Sequence, residues 1–219
     1  ILNQHKEVSF ILEDVARAFA RPDYLARYMS DALAKLVESV DSSIAALYSG
    51  FSNSIDGTGG LTEANFRSAR RTLNLAKAPV MNRVAVLHPD ADYELMGIER
   101  YVNRNYAPLH DAPAAQAAAY NGPFMGFQIY MNQLVATASS EAKNLLFHPD
   151  AIVLASRPLP SAGNSLNVRQ TVMEENGISI RTTVSYNANY LGAQVTLDLL
   201  YGVAELRDNH GLVLRSTTT

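Results

Sequence analysis

With 219 residues, 47% of them apolar and 18% charged, the chain is long enough for one large domain or two small ones and has an ordinary globular composition. A net charge of -3 excludes a strongly basic nucleic-acid binder, and the lack of cysteine excludes disulfides, thiolate metal sites and cysteine nucleophiles, which suits a reducing cytosol. Its apolar stretches fall far short of the ~20 residues that a membrane span requires.

Residues Ile1 to Phe10 carry His5, Lys6 and Glu7 and do not resemble a signal peptide; without an initiator methionine, the chain is expected to begin inside a longer product or after a cleavage. Val8, Phe10 and Leu12 alternate with more polar neighbours, which predicts a strand over His5 to Leu12. Pro22 to Tyr48 then reads as one unbroken amphipathic helix. Leu25, Met29, Leu33, Leu36, Val40, Ile44 and Leu47 recur in steps of four and three, which keeps a single stripe in register. Pro22 suits a first helical turn and Asp23 puts negative charge at the positive end of the helix dipole. The opposite face carries Arg27, Asp31, Lys35 and Glu38 at pairing distances. At about 1.5 Å per residue the rod is about 40 Å long, which suggests a spine for the rest of the chain.

Ser49 to Gly60 is loop by composition. A second helix is predicted from Thr62 to about Lys77, capped by Thr62, stopped by Pro79, with Phe66, Ala69, Leu73 and Ala76 on one face. Arg83 to Leu87 reads as a buried strand that turns at His88-Pro89-Asp90 into a helix holding Tyr93, Leu95 and Met96. His110 to Asn121, rich in Ala and Pro, fits either a loop or a frayed helix. From Gly122 the pattern becomes β. Phe127, Ile129 and Met131 alternate with Gln128, Tyr130 and Asn132, and short strands at Asn144 to Phe147 and Ala151 to Ser156 surround a second His-Pro-Asp. Arg169 to Glu174 and Ile178 to Tyr186 flank Asn176-Gly177, a strong hairpin signal because both residues tolerate positive φ. The last long strand, Gln194 to Leu206, sets Val195, Leu197, Leu199, Tyr201 and Val203 against Gln194, Thr196, Asp198, Gly202 and Ala204. The order strand, spine helix, mixed α/β, then β-rich gives an α+β class.

The candidate chemistry is thin. The triplets His88-Pro89-Asp90 and His148-Pro149-Asp150 are plain turns by composition, since proline fixes φ and Asp caps the next segment. A metal site from His88, Asp90, His148 and Asp150 is conceivable by ligand type, but no His-Glu-x-x-His spacing supports it. Gly57-Thr58-Gly59-Gly60 lacks the Gly-Lys-Ser/Thr of a phosphate-binding loop and reads as a flexible connector, and no Gly-x-Ser-x-Gly elbow occurs. The adjacent acids Glu13 with Asp14 and Glu174 with Glu175 read as solvated. Arg67, Arg70 and Arg71 form a small basic face that could meet nucleic acid but is better suited to intersubunit or solvent contact. No catalytic, cofactor or metal-binding residue is expected, and a structural or assembly role is favoured.

The order of these motifs resembles that of the major capsid proteins of tailed bacteriophages, the Hong-Kong-phage-type shell fold shared with encapsulins and herpesvirus capsid floors. It looks closest to the coat-protein branch of the Salmonella short-tailed phage. Leu2 to Phe10 resembles the returning strand of the extended loop and Pro22 to Tyr48 the spine helix. Arg83 to Pro89 with Tyr93-Glu94-Leu95 is similar to a peripheral-domain strand and helix. Gly122 and Gly126 to Met131 resemble the strand entering the axial domain, Leu145 to Ala151 running to Pro160 the strand pair leaving it, and Asp198 to Val203 the closing peripheral strand. The N-terminal arm and outgoing half of the extended loop have no counterpart, so the chain looks like the latter two-thirds of a typical member. There is also no room for the inserted domain of that coat-protein branch.

The resemblance implies an extended-loop remnant at 1–21, a spine and first peripheral part at 22–121, an axial domain at 122–160 and a closing peripheral sheet at 161–219. It implies self-assembly into pentamers and hexamers of an icosahedral head around double-stranded DNA. The expected partners are copies of itself, scaffolding and portal proteins, and DNA held only weakly, with no membrane and with assembly in the host cytoplasm. The rival readings are an encapsulin-like shell and a metal-dependent enzyme using His88 and His148. Ile1 to Ser9 is expected to extend from the body with few contacts inside the chain, because half of its two-stranded ribbon is missing.

Overall fold

The long helix α1 runs over Asp23–Ala45 and continues as a short 3-10 turn, Ala46–Ser49. The computed structural model describes residues 1–14, 23–102, 123–160 and 168–218, with side chains at all of these but 23–25. The expectations for Pro22, for the Asp23 and Leu25 side chains, for Gly122 and for the Ala/Pro-rich stretch 110–121 lie outside the described residues. Contacts divide the chain into two compact units, Ile1–Asp41 with Leu154–Val203 and Ser42–Val153 with Ala204–Thr219. The strands between Arg169 and Val203 group with the first part of the helix.

In the first unit, β1 (Gln4–Glu13), β7 (Ile152–Ser156), β8 (Arg169–Glu175), β9 (Ile178–Asn187) and β10 (Gly192–Glu205) form an antiparallel array ordered β1-β10-β9-β8, with β7 also on β10. The helical stripe is packed as its period predicts. Ala32 and Leu36 of α1 bury against Val195 and Leu197 of β10, with Leu33, Val8, Phe10 and Ile180 partly buried around them. Val195, Leu197, Leu199 and Tyr201 are all buried, as the alternation requires. The Tyr201 hydroxyl donates to the Ser39 carbonyl at 3.1 Å, so the ring that ends the stripe is also held by its polar tip. Between β8 and β9, Asn176 and Gly177 both take positive φ (51° and 79°), the geometry of a two-residue type I′ turn with Glu175 opposite Ile178.

One expectation fails here. Ile1 to Ser9 does not stand away from its own chain: β1 pairs with β10 from Gln4↔Tyr201 to Glu13↔Gly192. β10 is long enough to offer β1 a free edge, so the first strand does not need the missing outgoing strand as a partner. A Cβ at Gly202 would sit 2.2 Å from the Ile1 carbonyl oxygen, so this approach depends on glycine. The strand is nonetheless an edge strand, and Val8 and Phe10 stay half-buried. Asp198, on the other face of β10, is only 4% exposed; its charge is met by Arg181.

In the second unit a mixed sheet is ordered β2-β11-β6-β3-β4, with β5 (Thr137–Ala138) on β6. Its strands are β2 (Ser54–Asp56), β3 (Arg83–Leu87), β4 (Phe127–Met131), β6 (Glu141–Phe147) and β11 (Gly211–Thr217). Helix α2 (Glu63–Leu75) begins in a capping box between Thr62 and Asn65 and buries Phe66, Ala69 and Leu73. With α3 (Pro89–Met96) and α4 (Glu99–Val102), it covers one sheet face through Ala85, Leu87, Phe127, Ile129, Leu146, Leu212 and Leu214. The alternate residues Leu145 and Val213 face Phe51 and Ala151 on the other side. The apolar stretches Leu145–Phe147 and Leu212–Leu214 are thus packed on both sheet faces. β2 lies inside the segment that reads as loop, and β11 is not among the predicted strands.

Candidate functional site

Both His-Pro-Asp triplets fold as turns, and in the same way. His88 Nδ1 accepts the Asp90 backbone N–H at 3.3 Å and starts α3; His148 Nδ1 accepts the Asp150 N–H at 3.2 Å and starts a 3-10 turn, Pro149–Ala151. Proline at the first helical position costs no donor, and the imidazole supplies the cap that an Asp or Ser normally would. The buried Asn144 fixes the first turn to the sheet. Its Oδ1 accepts the His88 N–H at 2.7 Å, and its Nδ2 donates to the Leu214 carbonyl and Ser216 Oγ, each at 2.9 Å.

The antiparallel register of β3 and β6 (Val84↔Phe147, Val86↔Leu145) puts the two triplets at opposite ends of the ladder. Five residues at about 3.4 Å each separate them by ~17 Å. No ion can bridge that gap, so the enzyme reading built on His88 and His148 together is corrected. The neighbour that His148 does have is His210, ring centroids 6.4 Å apart, a residue that no sequence motif singled out.

The remaining candidates are local structure. In Gly57 to Gly60, the Thr58 backbone N–H and hydroxyl both donate to Asp56 Oδ1, at 3.0 and 2.7 Å; these bonds, with Arg215 nearby, hold the Asp56 carboxyl below its usual range. Arg67 lies against Glu63, which also takes Arg100, and Arg70 reaches the Met125 carbonyl. Arg83 is buried and wraps the end of α2, donating to the carbonyls of Ala78 and Pro79. Desolvation, and next the Arg70 charge, lower its pKa. Asp14 accepts from the Tyr186 hydroxyl at 2.8 Å, which raises the phenol. Glu174 and Glu175 are exposed on β8.

What the first unit does present is surface. Among the described residues β1 and β8 each pair on one side only, so two rows of backbone N–H and C=O groups remain open. Near the β8 edge Val172 and Met173 are exposed, as are Tyr186, Tyr190 and Leu191 along β9 and its exit. Unpaired edges fringed with apolar side chains are suited to joining further chains rather than to chemistry. Among the described residues no helix is long and apolar enough to cross a membrane.

No protein-family model matches the chain and no curated protein matches it in sequence. Its shape does have counterparts. A structure from Mycobacterium phage Che8 matches with a TM-score of 0.73 at 17% identity, over 98% of this chain and 71% of that one. The capsid structure of the Cyanophage P-SCSP1u matches with 0.68 at 15%, over 98% and 72%. The holo-SrpI encapsulin complex from Synechococcus elongatus PCC 7942 matches with 0.62 at 14%, over 96% and 72%. The chain has the Hong-Kong-phage-type capsid fold, in an α+β arrangement.

Proposed function

We propose that the chain is a shell-forming subunit, the major capsid protein of a phage head, assembling as pentamers and hexamers around double-stranded DNA. The observation that carries this is a likeness to the cyanophage capsid structure that runs through 98% of the chain instead of through one motif. The open β1 and β8 edges with their apolar fringe support self-association. The net charge of -3 suits a container that must not grip its cargo. Scaffolding and portal partners, assembly in the host cytoplasm and the coat-protein branch of the Salmonella short-tailed phage belong to the same reading, and rest on the order of motifs. So do the names extended loop, spine, peripheral and axial for its parts.

An encapsulin-like shell is the second reading, favoured by the likeness to the encapsulin complex. Electron microscopy of the purified chain tests both, through closed shells or flat capsomers. Nucleic acid recovered inside particles made in cells supports the phage head, and co-purified protein cargo supports the encapsulin. A chain that stays monomeric at high concentration contradicts both.

A further inference from the structure

We infer a divalent-metal site formed by His148, Asp150 and His210. One donor atom from each of these residues lies within 4.8 Å of the others. The Nδ1 of His148 is 3.4 Å from Asp150 Oδ2, close to the ~3.3 Å that separates two ligands held at about 2.0 Å on a tetrahedral ion. His210 is 8% exposed, and its Nδ1 is buried without a hydrogen-bond partner. A buried polar nitrogen left bare costs stability, and coordination would satisfy it.

The backbone has already brought the donors together. His148 N–H donates to the His210 carbonyl at 3.0 Å and Leu206 N–H to the Ala151 carbonyl at 2.8 Å, so the turn Pro149–Ala151 is tied to the turn Asp208–His210. An ion on His148 Nδ1 takes over a lone pair that holds only a long bond, 3.2 Å, to the Asp150 N–H. Asp150, half-exposed, can give that N–H to water. Two imidazoles and one carboxylate select zinc, cobalt or nickel over magnesium or calcium, and leave a coordination position for water. The chain carries its own control. The triplet at His88 repeats the same turn, but among the described residues no third donor joins it.

Zinc chloride titrated into the purified full chain, followed by calorimetry and by the thermal midpoint, tests the site. The expected result is one zinc per chain and a raised midpoint. Loss of a partner that merely orients a ligand already costs about tenfold in metal affinity, so Asp150→Asn and His210→Ala should each cost at least that. His88→Ala should leave affinity unchanged. Should His210→Ala fail to fold, the solvent-facing Asp150→Asn decides. Absence of zinc binding by the unaltered chain, undiminished affinity in Asp150→Asn, or equal loss in His88→Ala overturns the site.

Discussion

Arg181 sets two guanidinium nitrogens on a single carboxylate oxygen of Asp198, Nη2 at 2.6 Å and Nε at 2.9 Å, in a place where both side chains are largely buried. The third nitrogen, Nη1, donates to the Pro160 carbonyl at 2.6 Å. The pair joins β9 to β10 on the sheet face opposite the buried stripe. Removing one partner strands a buried charge, whereas replacing both by apolar residues does not. Asp198→Ala should therefore cost about 3–5 kcal/mol in denaturant unfolding. The double change Arg181→Met with Asp198→Leu should recover most of it. A single variant as stable as the parent would show that the pair is solvated.

Leu36 is 1% exposed between α1 and β10, where Val195 and Leu197 leave it little room to relax. Leu36→Ala should lower unfolding free energy by about 2–5 kcal/mol. Leu36→Asp should prevent folding of the first unit, because it buries a charge with no partner. A small loss in both variants would mean that the stripe faces solvent.

At Gly177, with φ of 79°, a side chain would meet nothing within 4 Å, so any cost of substitution lies in the backbone alone. Gly177→Val should cost about 1–3 kcal/mol, since a β-branched residue resists positive φ. Gly177→Asn should cost much less. Equal effects of Val and Asn, measured by thermal unfolding, would refute the turn.

Gly202 lies where the Ile1 carbonyl crosses β10. Gly202→Val should push the start of β1 off its partner and speed hydrogen exchange at β1 amides, while the amides of β9 keep their protection. Unchanged exchange in β1 would place the first strand elsewhere.

Much of this fold is legible in the sequence because its signals are local. The stripe from Leu33 to Val40, the Asn176-Gly177 turn and the odd face of β10 each derive from one period or one φ preference. Two kinds of feature are not legible. β2 and β11 owe their existence to tertiary pairing: Val213↔Ser54 and Leu212↔Leu146 join segments far apart in sequence, and neither strand alternates clearly. The same holds for chemistry assembled across the chain. The burial of Asp198 depends on Arg181, seventeen residues away. His210 carries no motif and gains meaning only from the turn at His148. The most conspicuous motif, the repeated His-Pro-Asp, carries information about capping and none about a shared site.

Self-assembly is tested most directly by cryo-electron microscopy of the purified chain across a range of concentrations. Closed shells, or pentameric and hexameric capsomers, are expected, in which neighbouring copies cover the β8 edge at Val172 and Met173. Replacing both of those residues with Lys should abolish the particles while leaving the monomer folded by circular dichroism. Monomers alone at every concentration, or particles of the Lys variant indistinguishable from the parent's, would contradict it.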